Sequence, residues 1–146
     1  QQDRQEIVSY GFITDCGIAL FDKKGNLKIN KTDSMKQLGK YVNAQPSFNW
    51  QNPESRKWVR SVLRNNPSQP VSYGALTGED WDKIEPYVKT GEFERKPGDR
   101  LVVYTDGLEP IIQTAEFADK LLQGDFRGLE KLCRKKVKTE GTLVFN

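Results

Sequence analysis

The chain has 146 residues, 36% hydrophobic and 29% charged, which suits one domain (1–146) with its own core. A net charge of +3 is too small to imply a nucleic-acid partner, and no apolar run is long enough to span a bilayer. Histidine is absent, which excludes Ser-His-Asp triads, Cys-His pairs and His-containing zinc sites.

The chemistry left is that of carboxylates, Lys or Cys, or of a hard cation such as Mg²⁺ or Mn²⁺ held by oxygen ligands. No signal-peptide pattern opens the chain, so a cytoplasmic location is the default expectation. It begins Gln1-Gln2 without Met, and the only Met is Met35, so the start reads as internal to a longer or processed protein. Cys16 and Cys133 fit no metal-binding spacing and read as two buried free thiols.

Glu6 to Ile13 mixes β-branched and aromatic residues with small ones and reads as a strand. Ile18 to Phe21 reads as a second. Asp22-Lys23-Lys24-Gly25-Asn26 supplies Gly and Asn where a hairpin needs positive φ, and Leu27 and Ile29 alternate on the returning strand. Residues 32–51 read as irregular apart from a short helix near Met35 to Tyr41. Asn52-Pro53-Glu54 is a helix start, with Asn as N-cap and Pro at the first position. Trp58, Val59, Val62 and Leu63 form its apolar face, and Asn65-Asn66-Pro67 ends it.

Tyr73 to Glu79 is a loop bracketed by glycines, followed by a polar stretch to Thr90. Glu92-Phe93-Glu94 alternates as a strand, Lys96-Pro97-Gly98-Asp99 is a tight turn, and Leu101 to Tyr104 is a continuous apolar run typical of a buried strand. Thr114 caps a helix with Phe117, Ala118, Leu121 and Leu122 inward. A second helix from Phe126 to Val137 turns Leu129, Leu132 and Cys133 inward and Arg134, Lys135 and Lys138 outward. Its basic run lacks interleaved aromatics and reads as a solvated face rather than a nucleic-acid surface. Trp50, Trp58 and Trp81 read as core or lid residues. Thr142 to Phe145 reads as a last strand.

The chemistry-bearing motif is Tyr104-Thr105-Asp106-Gly107-Leu108. A strand delivers Asp106 at its C-terminal end, and Gly107 leaves room for close approach of backbone and ligand. Asp-Gly is also a common turn, so the tripeptide alone decides nothing.

The whole stretch Gly91 to Leu108, with its Gly-Asp turn, apolar strand and Asp-Gly, resembles the metal-dependent protein phosphatases of the protein phosphatase 2C type. Three further segments fall in that family's order. Ile13-Thr14-Asp15-Cys16-Gly17 and the strand after it are similar to its Gly-Asp-Ser-Arg segment. Tyr73 to Gly78 is similar to the loop before its metal-binding strand. Thr139-Glu140-Gly141-Thr142 stands at its final Asp-Asn or Asp-Asp motif.

The resemblance implies an α+β fold, an antiparallel β-sandwich flanked by helices. It also implies hydrolysis of phosphoserine or phosphothreonine on a phosphoprotein substrate by metal-activated water, with Mg²⁺ or Mn²⁺. The implied metal residues are Asp106 and Gly107, with Asp15 at an accessory site and Glu140 near the last motif. The departures are specific. The family's first Asp-Gly motif and phosphate-binding Arg have no counterpart here. Thr14, Cys16 and Gly17 replace Gly, Ser and Arg, Thr139 stands where a metal-binding Asp belongs, and Glu140 is one place out of register.

One secure carboxylate is too few for a two-metal centre. Two readings follow: a chain carrying part of a phosphatase site and inactive alone, or a silent pseudophosphatase that binds a partner. Self-association, or pairing with a missing N-terminal half, is expected from the strand edges a partial sheet would expose.

Overall fold

The structure, a computed structural model, describes residues 6–33 and 35–139, with side chains as far as residue 135. In chain order, β1 (Glu6–Ile13), β2 (Cys16–Phe21) and β3 (Leu27–Thr32) are followed by α1 (Lys36–Asn43), α2 (Pro53–Trp58) and α3 (Trp81–Ile84). Then come β4 (Val88–Arg95), β5 (Arg100–Thr105), α4 (Ala115–Gln123) and α5 (Phe126–Thr139). The class is α+β, with two small antiparallel sheets, one of β1 and β4 and one ordered β3-β2-β5. No helix among the described residues is long and apolar enough to cross a membrane. The chain divides into two compact units.

The first unit comprises residues 6–9, 16–32 and 92–139 of the described chain. Its hairpin forms where the turn residues call for it. Gly25 takes φ 86°, and the Asp22 carboxylate accepts from the backbone N–H of Lys24 and Asn26 at 2.8 and 2.9 Å. A bulge shifts the register so that Leu20 faces Ile29 and Phe21 faces Leu27. The Lys96–Asp99 turn has Pro then Gly at its centre, with φ 89° at Gly98, and Asp99 N donates to Lys96 O at 3.0 Å. Asp99 is buried and accepts from Lys28 Nζ at 3.2 Å, which ties this turn to the hairpin.

The core of this unit gathers Ala19, Phe21, Tyr104, Ile111, Ile112, Phe117 and Leu132, with Val102, Ala118, Leu121, Leu129 and Cys133 packed around them. Helix α4 starts where Thr114 Oγ1 accepts from Phe117 N at 3.3 Å. It stops at Gly124, whose left-handed backbone (φ 68°) lets its N–H reach the last carbonyls. Asp125 then caps α5 by accepting from Gly128 N at 2.8 Å.

β5 departs from the expectation of a buried strand. It lies at the sheet edge, so only Val102 and Tyr104 face the helices, while Leu101 and Val103 are 40% and 71% exposed. The fully embedded strand is β2, buried from Gly17 to Phe21. The cysteines are half-buried rather than buried, and desolvation pushes the Cys133 thiol up, away from the reactive thiolate.

The second unit comprises Tyr10–Asp15 and Asp33–Gly91. Its core is Leu38, Val42, Val59 and Leu63, with Phe48, Trp50, Trp58 and Tyr73 against it. Asn52 caps α2 by accepting from Glu54 N at 2.9 Å, as its sequence predicts. After Trp58 the helix widens into a π turn, Val59–Leu63, which still turns Val59 and Leu63 inward. Trp81 is 56% exposed, so it is not a core residue of its unit. The stretch read only as polar contains α3, a 3₁₀ turn Glu85–Tyr87 and the start of β4. The strand predicted at Thr142 to Phe145 lies outside the described residues.

Candidate functional site

Asp106 is fixed from both sides. On the strand side, β5 runs antiparallel to β2, pairing Tyr104 with Gly17 and Thr105 with Cys16. The Tyr104 ring lies over Gly17 so closely that a methyl group there would come within 2.4 Å of Cζ. The Tyr104 hydroxyl donates to Asn30 Oδ1 on β3, and burial raises its pKa. All three strands of this sheet thus meet at one buried ring, just before the strand releases Asp106.

On the other side the chain turns at once into the 3₁₀ segment Asp106–Leu108, with Glu109 N donating to Asp106 O at 2.9 Å. The next turn buries Ile111 and Ile112 completely. Between these anchors the Asp106 side chain is exposed. It takes no hydrogen bond or ion pair among the described residues. A carboxylate held on a rigid backbone and left unused by the fold can serve a ligand without first breaking a bond.

The room expected of Gly107 has no structural demand behind it. A Cβ there would meet nothing within 4 Å, and Gly107 is not among the glycines with positive φ. Neither packing nor backbone strain requires glycine at this position; the space is open to solvent.

Asp15 belongs to the second unit, where it is exposed in the turn after β1. Its neighbour Thr14 carries the structure of that turn. Thr14 is buried, takes φ 57°, and donates from Oγ1 to the Gly74 carbonyl. Glu140 lies outside the described residues.

A residue that sequence reasoning treated only as a helix end proves central to the Tyr73–Glu79 loop. Asn65 is buried with φ 49°, and its backbone N–H donates to Tyr73 O at 2.8 Å. Its side chain donates to Ala75 O at 2.9 Å and Glu79 Oε2 at 2.5 Å, and accepts from Ala75 N at 2.7 Å. The Asn65 amide, the largest influence on Glu79, holds that carboxyl below its ordinary value. The available signal was the Asn-Asn-Pro sequence, since Asn tolerates the left-handed region better than most residues.

Among the described residues no group of three or more His, Cys, Asp or Glu could hold a metal ion. A divalent cation of the Mg²⁺ or Mn²⁺ kind prefers about six oxygen ligands. Asp106 has the right chemistry for one of them, but the described residues do not by themselves fit such a centre. Comparison with protein-family models, curated proteins and solved structures gives no match for this chain.

Proposed function

We propose that the chain is part of a metal-dependent phosphoester hydrolase of the protein phosphatase 2C type, with Asp106 as one ligand of a Mg²⁺ or Mn²⁺ centre. The observation that carries this reading is the Asp106 carboxylate, fixed at a strand end yet unengaged among the described residues. A second supports it. Thr14, which stands where the family has glycine, adopts the positive φ that glycine takes without strain. The remaining ligands and the phosphate-binding group would come from outside the described residues, with Glu140 a candidate there.

On this reading the substrate is a phosphoserine or phosphothreonine protein in a cytoplasmic setting, and the two small sheets are parts of the layers of an antiparallel sandwich. The isolated chain is expected to have no phosphatase activity of its own.

One observation favours a second reading, a silent member that binds a partner through the same surface: the described residues assemble no three-ligand group. Calorimetric titration of Mn²⁺ into the chain and into Asp106→Ala separates the two. Binding that disappears in the variant supports a metal centre at Asp106. A variant that binds as well as the parent removes Asp106 as a ligand, and a chain that binds no Mn²⁺ at all either needs the ligands of a missing half or is the partner-binding member.

A further inference from the structure

β5 has one strand neighbour. Its Cα register pairs it with β2, and among the described residues nothing hydrogen-bonds to its other edge. The face that this edge presents is half covered. Ile18 and Leu20 on β2 are buried, whereas their cross-strand neighbours Val103 and Leu101 are exposed. A row of unsatisfied backbone groups beside two exposed aliphatic side chains is a template for another strand.

The residues along β5 specify which strand fits. Two copies related by a two-fold axis normal to the sheet keep their faces in common, so each symmetric antiparallel register is centred on a single residue. Only the register centred on Val103 sets Arg100 opposite Asp106. It also sets Val103 against Val103 of the second copy, Leu101 against Thr105, and Val102 against Tyr104. Residues 101, 103 and 105 then share the outer face, and 102 and 104 the inner one. The charges agree with this register: Asp106 has no partner among the described residues, and Arg100 spends one guanidinium nitrogen on Leu122 O at 3.0 Å. Its other nitrogens remain for a carboxylate.

We propose that β5 is a homodimerisation edge, on which a second copy of this chain pairs antiparallel about Val103 and closes two symmetric Arg100–Asp106 ion pairs. The inference does not rest on the phosphatase reading and survives its failure: a bound metal and the Arg100 pair would compete for Asp106, so association is read on the metal-free chain.

Sedimentation velocity on the metal-free chain tests it. The parent chain is expected to show a concentration-dependent monomer–dimer equilibrium. Val103→Lys, at an exposed position that leaves the monomer intact by circular dichroism, is expected to weaken it about tenfold or more, by placing like charges directly opposite. Arg100→Glu is expected to weaken it as well, and Arg100→Glu combined with Asp106→Arg to restore it. Both variants lack the bond to Leu122, so the recovery reads the ion pair alone. A parent chain that stays monomeric, a dimer that Val103→Lys leaves untouched, or a charge swap that fails to recover would each overturn the proposal. If the Arg100 variants fail to fold, the Val103 comparison decides alone.

Discussion

A single methyl group at Gly17 would collide with two ring carbons and the hydroxyl of Tyr104, the nearest 2.4 Å away. The ring cannot retreat easily, because it is buried among core residues and its hydroxyl is bonded to Asn30. Gly17→Ala is therefore expected to destabilise the first unit by about 1–3 kcal/mol, the usual cost of overpacking a filled site. Urea denaturation measures it, and a loss below about 0.5 kcal/mol, the scale of an ordinary surface change, would mean the ring swings aside. On the proposed phosphatase reading this glycine stands where the family motif has Arg, and the tyrosine opposite gives its presence a packing cause. Asp106 is the converse: it is exposed and its charge has no partner among the described residues.

Helix α4 shows how far local signals reach. Thr114 accepts from Phe117 N and donates to Ile111 O at 2.7 Å, so one hydroxyl joins the cap to the turn before it. Thr114→Ala is expected to cost about 1 kcal/mol, the typical worth of a lost N-cap, read as a lower denaturation midpoint with an unchanged slope. The cap, the helix and the inward set Phe117, Ala118 and Leu121 were all legible, since each depends on residues within a few positions. The hairpin around Gly25 and the turn at Gly98 were legible for the same reason. β5 was misread at this scale. A run of four apolar residues looks the same in a central strand and in an edge strand, and the difference lies in the neighbours that the strand acquires.

The molecule as a whole places hydrogen-bonded carboxylates in both units. Asp22 is held below its ordinary pKa chiefly by the Asn26 side chain, Asp99 by Lys96 N–H, Asp125 by Gly128 N–H and Glu79 by Asn65. A carboxylate with a depressed folded pKa adds stability above its unfolded value, and that stability is lost as pH falls through the folded one. Unfolded Asp and Glu titrate near 4, so the thermal midpoint should be flat above about pH 5 and fall steadily below about pH 4. Asp99→Asn is expected to shallow that fall, because Asp99 closes the turn before β5 and holds Lys28. A midpoint that does not change between about pH 6 and about pH 3, spanning the ordinary carboxylate range, would count against these bonds as stabilising.

The chain by itself determined the β2–β3 hairpin, the caps at Asn52 and Thr114, and the glycine turns. Each is set by backbone preferences and hydrogen bonds between residues close in sequence. The order of residues also marked Asp106 as the carboxylate at a strand end. Only the tertiary structure decided that β2 is the embedded strand and β5 the edge, that Tyr104 locks onto Gly17 and Asn30, and that Asn65 pins the Tyr73–Glu79 loop. Those outcomes join segments up to some ninety positions apart, where packing and register, and no local preference, select the partner.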